Sequence, residues 1–328
     1  MTAGVYLDAY LAPLAGWLSR PDVTDVMVNR PGEVWIETTG GMMAAINAPQ
    51  VTEQALSRLA RQIAAATHQG VNREQPLLSA ALPDGARVQI VSPPATRSGF
   101  VLAVRKHVIS DLSLGELGEA GLFETAPNTG RRAAADAELT ALLEAQDSAG
   151  FLKAAVKARK TIVISGGAGA GKTTLLNALV KEIDQTERLI VIEDAPEVRL
   201  DHPNAVGLLA VRGDQGEARV DADDLLRASL RLRPDRILLG ELRGPEAFAF
   251  LRAVNSGHPG SLTTVHADTP EGAVDQIALL AMTAGLNLDW ARLQTYVRGV
   301  VDVFVQLERR NGRRQVAEIK FFPRAAGS

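Results

Sequence analysis

No cysteine occurs among the 328 residues of this chain. That excludes a disulfide framework and any zinc or iron–sulfur site built on thiolates, and it fits a reducing compartment. Aromatic residues are scarce at 4%, which weighs against the stacking platforms that hold single-stranded nucleic acid. A basic excess is missing too: the formal net charge is -3, so gripping nucleic acid by charge alone is disfavoured. No stretch approaches the roughly eighteen uninterrupted apolar residues of a membrane span. Met1 to Trp17 is moderately apolar, but Asp8 interrupts it and no Lys or Arg precedes that residue. It therefore does not read as a secretory signal, and a cytoplasmic protein is expected. What remains is an ordinary globular composition, 46% hydrophobic and 22% charged, in a chain long enough for two domains.

The first hundred residues read as a small mixed α+β domain. Leu7, Leu11, Leu14 and Leu18 recur at helical spacing, with Pro13 expected to kink or restart the helix. Strands are expected at 25–29 and 34–37 around the Pro31-Gly32 turn, a helix at 51–67, and strands at 88–92 and 100–105. From His107 to Ala149 the periodicity weakens, and this segment is expected to be a connector with short helical pieces. The division is therefore 1–106, a linker at 107–149, and a second domain from 150 to 328. That domain alternates strands (161–165, 189–192, 237–239, 261–265) with helices (172–183, 223–232), the pattern of a mostly parallel sheet covered on both faces. Its end differs, because Asn311-Gly312 between two apolar runs is a hairpin signal.

Chemistry enters at Gly166, Gly167, Ala168, Gly169, Ala170, Gly171, Lys172, Thr173 and Thr174, which fit the G-x-x-x-x-G-K-[ST] phosphate loop between a strand and a helix. Glycines let successive backbone N–H groups turn inward around phosphate oxygens, and the following helix points its positive end at the same anion. Lys172 is expected on the β- and γ-phosphates of ATP, and the Thr173 hydroxyl on Mg2+. Two acidic clusters follow apolar strands, Glu193-Asp194-Ala195-Pro196-Glu197 and Gly240-Glu241. Ligands collect at the carboxyl ends of strands in open α/β sheets, so both clusters are expected to point at the loop. Glu193, Glu197 and Glu241 join Thr173 as metal-binding candidates. His258 and His266 flank another strand without the spacing of a zinc helix, and one of them could sense nucleotide state. Arg87, Arg97 and Arg105 in the first domain are candidates for neutralising phosphate charge. The run Arg309, Arg310, Arg313, Arg314 sits on the predicted hairpin tip and reads best as a solvated turn, contact with anionic lipid or nucleic acid being the alternative.

The order of these motifs resembles that of the secretion ATPase superfamily, whose members drive type II secretion, type IV pili and type IV secretion. The residues that carry the likeness are the phosphate loop, Ile-Glu-Asp-x-x-Glu at 192–197, Arg233 to Arg243, and Ser256 to His266. Pro21 to Glu33 together with Leu82 to Ile90 resemble the type IV secretion branch. The likeness implies a RecA-like P-loop NTPase domain with a smaller N-terminal domain and a homohexamer with nucleotide between domains. It also implies partners among inner-membrane and cytoplasmic secretion components, a DNA or protein substrate, and peripheral association with the inner membrane. By the same likeness Glu197 activates water, Glu241 acts through magnesium, His266 lies near the γ-phosphate and Arg105 reaches phosphate. The loop departs from the family's habit in carrying Ala168 and Ala170 where hydroxyl residues are usual. A pilus assembly or type II secretion ATPase, a nucleic-acid-stimulated motor and a nucleotide-gated scaffold are the competing readings.

Overall fold

The computed structural model describes residues 2–106, 113–119, 121, 123, 128–211, 216–285 and 289–323. The first domain contains α1 (Thr2–Leu18), β1 (Val23–Val28), β2 (Glu33–Thr38), β3 (Met43–Asn47), α2 (Glu53–Ala66), β4 (Leu77–Ala81), β5 (Arg87–Val91) and β6 (Val101–Arg105). Its strands form one antiparallel sheet in the order β3-β2-β1-β6-β5-β4. Pro13 lies inside α1 without ending it, and Leu7 and Leu14 bury against Leu56 and Leu59 of α2. Thr52 caps α2 by accepting from the Ala55 amide, which satisfies one of the helix's free donors.

This sheet is buried on both faces. Val26, Val28, Leu102 and Val104 pack under α1 and α2. Their alternates Met27, Ala103 and Val101 belong to the core of the second domain. Because side chains alternate faces along a strand, the two domains share a packed face as well as a linker. Polar latches reinforce it. Fully buried Arg188 donates to Asn29 Oδ1 (2.5 Å) and Asn204 Oδ1 (2.6 Å), and Arg233 grips Glu37 with two guanidinium nitrogens.

Between the domains lie α3 (Leu114–Glu119) and α4 (Asn128–Glu144), followed by α5 (Ser148–Lys157). The expected connector is thus more helical than its composition suggested. Leu139 of α4 is buried beside Phe151 and Leu152, and Asp136 pairs with Lys160, so α4 packs as part of the second domain. Then come β7 (Ile162–Gly166), α6 (Lys172–Val180), β8 (Leu189–Glu193), β9 (Ala205–Leu209), α7 (Ala222–Ser229), β10 (Arg236–Leu239), α8 (Glu246–Asn255), β11 (Leu262–Val265), α9 (Pro270–Met282), α10 (Trp290–Val300), β12 (Val303–Arg310) and β13 (Arg313–Phe321). The sheet order is β13-β12-β7-β11-β10-β8-β9. All its pairings are parallel except β12–β13. Leu176 and Leu179 of α6 cover one face, and Leu226, Phe250, Ile277 and Val297 cover the other.

The β12–β13 hairpin turns at Asn311 (φ 53°) and Gly312 (φ 79°), the two left-handed residues of a type I′ turn. Among the described residues no helix is long and apolar enough to cross a membrane.

Candidate active site

The phosphate loop leaves β7, an interior strand between β12 and β11. Gly169 (φ 72°) and Gly171 (φ 102°) occupy left-handed backbone that other residues rarely adopt. Gly166 fits where it does because a Cβ there would stand 2.7 Å from the Leu307 carbonyl oxygen of β12. At Gly167 and Gly169 a Cβ would meet nothing within 4 Å, so the loop surrounds open space of the kind a phosphate fills. Gly171 begins α6 and supplies no side-chain cap, which leaves the first amides of the helix to an anion. The chain thus has a cradle that fits the phosphates of ATP.

Parallel strands bring the acids to the same rim. The Thr173 hydroxyl donates to Glu197 Oε2 at 2.9 Å. Lys172 Nζ donates to the Gly166 carbonyl at 2.8 Å and lies 4.0 Å from Glu241 Oε1. His266 Nε2 is 2.7 Å from the same Glu241 oxygen, and its Nδ1 is 3.3 Å from Lys172 Nζ. The ring therefore stands between the ammonium and the carboxylate, its Nδ1 within hydrogen-bond distance of Lys172 and its Nε2 against Glu241. Burial pushes the Lys172 ammonium below its ordinary range, a shift that Glu241 opposes and Arg243 adds to. The half-open cleft measures about 360 Å³ and is lined by Lys172, Thr173, Glu197, Glu241 and Arg243, among others. At about 30 Å³ per water, that leaves room for a phosphoryl group, a metal ion and several waters. Hydroxyl and carboxylate oxygens fit Mg2+, which takes one or two protein ligands and fills its remaining positions with phosphate and water.

Other expected residues are placed differently. Glu193, expected on metal, is buried with both oxygens engaged. Its Oε1 accepts from the Glu197 and Val198 amides (3.1 and 2.8 Å), and its Oε2 pairs with Arg97. It shapes the loop that carries Glu197. Arg97 does reach the site's edge, donating to the Val198 carbonyl at 2.7 Å, and burial lowers its pKa. Arg87 and Arg105 are not brought to the loop of their own chain. They sit opposite each other on β5 and β6, Arg105 bonds Asp25 at 2.9 Å, and both line a separate cleft with Arg231. Thr174 is exposed on the first turn of α6. His258 stands within hydrogen-bond distance of the Ala253 carbonyl, 2.9 Å from Nδ1, and closes the end of α8.

Two contributors escaped the sequence reading. Asn177 ties α6 to the acidic loop, donating to the Glu197 carbonyl (3.2 Å) and accepting from the Arg199 amide (2.7 Å). Its position five residues beyond Lys172 places it on the helix but names no partner. Arg243 pairs with Glu241; it lay inside a quoted motif without a role.

A phosphate loop on an interior strand of a mostly parallel sheet, faced by carboxylates from the ends of β8 and β10, defines a RecA-like P-loop ATPase. The type II/IV secretion system protein family model matches residues 9–325, and the chain belongs to that family. It is 36% identical over 328 residues to the type IV secretion system protein VirB11 of Bartonella quintana, covering 95% of this chain and 92% of the relative. It is 41% identical over 326 residues to the type IV secretion system protein PtlH of Bordetella pertussis, covering 95% and 94%. The crystal structure of the VirB11 ATPase from the Brucella suis type IV secretion system, in complex with sulphate, matches with a TM-score of 0.91 at 36% identity. That match covers 98% of this chain and 96% of the other. The chain is an ATPase of the type IV secretion branch.

Proposed function

We propose that this ATPase works as a homohexameric motor at the inner membrane, using Mg2+-dependent ATP hydrolysis to move its domains, assemble secretion-system components and drive passage of DNA or protein. The observation that carries this reading is the 2.9 Å contact between the Thr173 hydroxyl and Glu197, beside Lys172 and Glu241. It joins a hydroxyl suited to magnesium and a carboxylate suited to orienting water on one rim of a phosphate cradle, which supports the reading. With ATP as substrate, Mg2+ held at Thr173 would supply charge neutralisation at the transferring phosphoryl group. Gly167 to Thr174 hold the phosphates, Lys172 the β–γ end, and Glu197 orients the attacking water. Glu241 would act on a bound magnesium ion, and His266 reports on the γ-phosphate through Lys172 and Glu241. Arg87 and Arg105 are directed at a neighbouring copy, where a guanidinium supplied in trans accelerates phosphoryl transfer by about 10³ to 10⁵.

The test is steady-state ATP hydrolysis alongside mass by light scattering, for wild type, Lys172→Ala and Arg105→Ala. Turnover by a hexamer that both substitutions abolish supports the motor. A monomer without turnover, at high protein concentration and with lipid present, ends the reading.

A further inference from the structure

The tip of the β12–β13 hairpin carries four arginines in two cross-strand pairs, Arg309 opposite Arg314 and Arg310 opposite Arg313. Like charges directly opposite one another destabilise a sheet. Glu308, the nearest acid on the hairpin, is engaged by Gln315. Such an arrangement calls for an anion.

The ladder shows which anion it faces. Leu307 of β12 pairs with Gly166 of β7, so the hairpin beyond Leu307 overhangs the phosphate loop. Arg314 shares a face with Val316, two residues on, and Val316 packs against the core that holds Ala170 and Leu176. The proximity is measurable at Gly171, where a Cβ would stand 3.0 Å from Arg314 Cδ and 3.8 Å from its Nε. The Arg314 side chain therefore lies across the start of α6.

Sheet order then assigns an end of the nucleotide. β7 lies between β12 and β11. Glu193, Glu241 and His266 stand at the ends of β8, β10 and β11, on one side of β7, and Lys172 Nζ reaches toward that side. Arg314 comes from the other side. Since the lysine takes the β–γ end of the triphosphate, the side facing Arg314 is left for the α-phosphate and nucleoside.

We propose that Arg314, with Arg309 beside it, is a nucleotide-binding residue for the α-phosphate shared by ATP and ADP, an inference that rests on the ATP reading of the loop. An α-phosphate there offsets the repulsion between the paired guanidiniums and receives a charge-assisted hydrogen bond. Because ADP and ATP present the same α-phosphate, Arg314 contributes equally to both.

Equilibrium binding of ADP and of ATP to the full chain by titration calorimetry tests this, with wild type, Arg314→Ala, Arg314→Lys and Lys172→Ala. Arg314→Ala should weaken both nucleotides by the same factor, about tenfold, and Arg314→Lys should recover part of the loss. The nucleotide-free melting midpoint of Arg314→Ala should be no lower than that of wild type, since the substitution removes a like-charge pair. Unchanged ADP affinity in Arg314→Ala would return the hairpin tip to a solvated turn, and a selective loss of ATP would place the residue at the γ-phosphate; either overturns the proposal. If wild type bound neither nucleotide, the ATP reading itself would fail, an outcome separate from a wild type that binds and an Arg314→Ala that binds equally well.

Discussion

The Thr173 hydroxyl donates to Glu197 Oε2 across 2.9 Å, joining the first turn of α6 to the loop after β8. Glu197 is otherwise exposed; its backbone is fixed by Asn177 and Glu193, while its side chain has the Thr173 contact. A carboxylate on a braced backbone, exposed and held by a single hydroxyl, suits a group that must turn between that hydroxyl, a metal and a water. Glu197→Gln should keep nucleotide affinity within about twofold while turnover falls about 10² to 10⁴, the range for loss of a general base. Paired calorimetry and phosphate-release assays check it. Loss of binding equal to loss of turnover would make Glu197 a structural residue.

The domain contact predicts a stability effect far from the cleft. Arg188 is fully buried, and that burial depresses its pKa. It is held by Asn29 from one domain and by Asn204 and the Leu232 carbonyl from the other. Asn29→Ala removes one acceptor from a charge that water cannot reach. The expected cost is about 2 to 4 kcal/mol, read as a lower urea midpoint with an unchanged slope. The transition should remain single, because the face shared by Met27, Ala103 and the second domain couples the two units. A separate early transition of the first domain would refute the shared core.

Lys172 gives a pH dependence whose sign follows from its environment. Burial holds its pKa below the ordinary 10.5, so the free protein begins to lose the ammonium at lower pH than an exposed lysine does. Nucleotide phosphate favours the charged form, so affinity is fullest at neutral pH and falls as pH rises toward 10.5. Over the same window binding takes up protons. Calorimetry in two buffers of different ionisation enthalpy measures that uptake, which should grow from pH 7.5 to pH 9.5. Lys172→Arg, whose guanidinium stays charged, should abolish it. Uptake that is absent in wild type would mean that burial does not destabilise the ammonium.

Much of the cleft was legible in the sequence because its parts are local. The phosphate loop is nine consecutive residues, and strand–loop–helix order fixes where it sits. Glu241 and the acidic cluster at 193–197 follow short runs rich in Ile, Leu and Val, whose length and composition point to buried strands. The edges were not legible. β3, β4 and β9 all lie at sheet margins, and their Ala, Gly and Ser residues carry little strand propensity. α4 was obscured by a hydrophobic stripe reduced to few residues, with Leu139 buried and most of its neighbours exposed. Roles set by tertiary contact were hidden too. Glu193 reads as a metal ligand from its place at a strand end, and only folding shows that the Glu197 and Val198 amides and Arg97 claim its oxygens. Arg87 and Arg105 look equivalent to Arg97 in sequence, yet strand register puts them in another cleft.

Arg97 supplies the last prediction, through the glycine beneath it. The Arg97 amide donates to the Gly207 carbonyl at 3.0 Å, and the side chain crosses β9 to reach the Val198 carbonyl and Glu193. A Cβ at Gly207 would meet Arg97 Cδ at 2.5 Å and Leu200 Cδ1 at 2.7 Å. Gly207→Ala should therefore lift Arg97 from Glu193, at an overpacking cost of about 1 to 3 kcal/mol. Glu193 would keep the two amides and Asn177 its two contacts, so Glu197 stays in place but on a loop that has lost one of its braces. Turnover should fall in Gly207→Ala and in Arg97→Ala by similar factors, with Lys172-dependent ADP binding retained in both. The double variant should lose no more turnover than Arg97→Ala alone, because both changes act through the same contact. Turnover losses that multiply in the double variant would mean that Gly207 acts through Leu200 and the strand, not through Arg97.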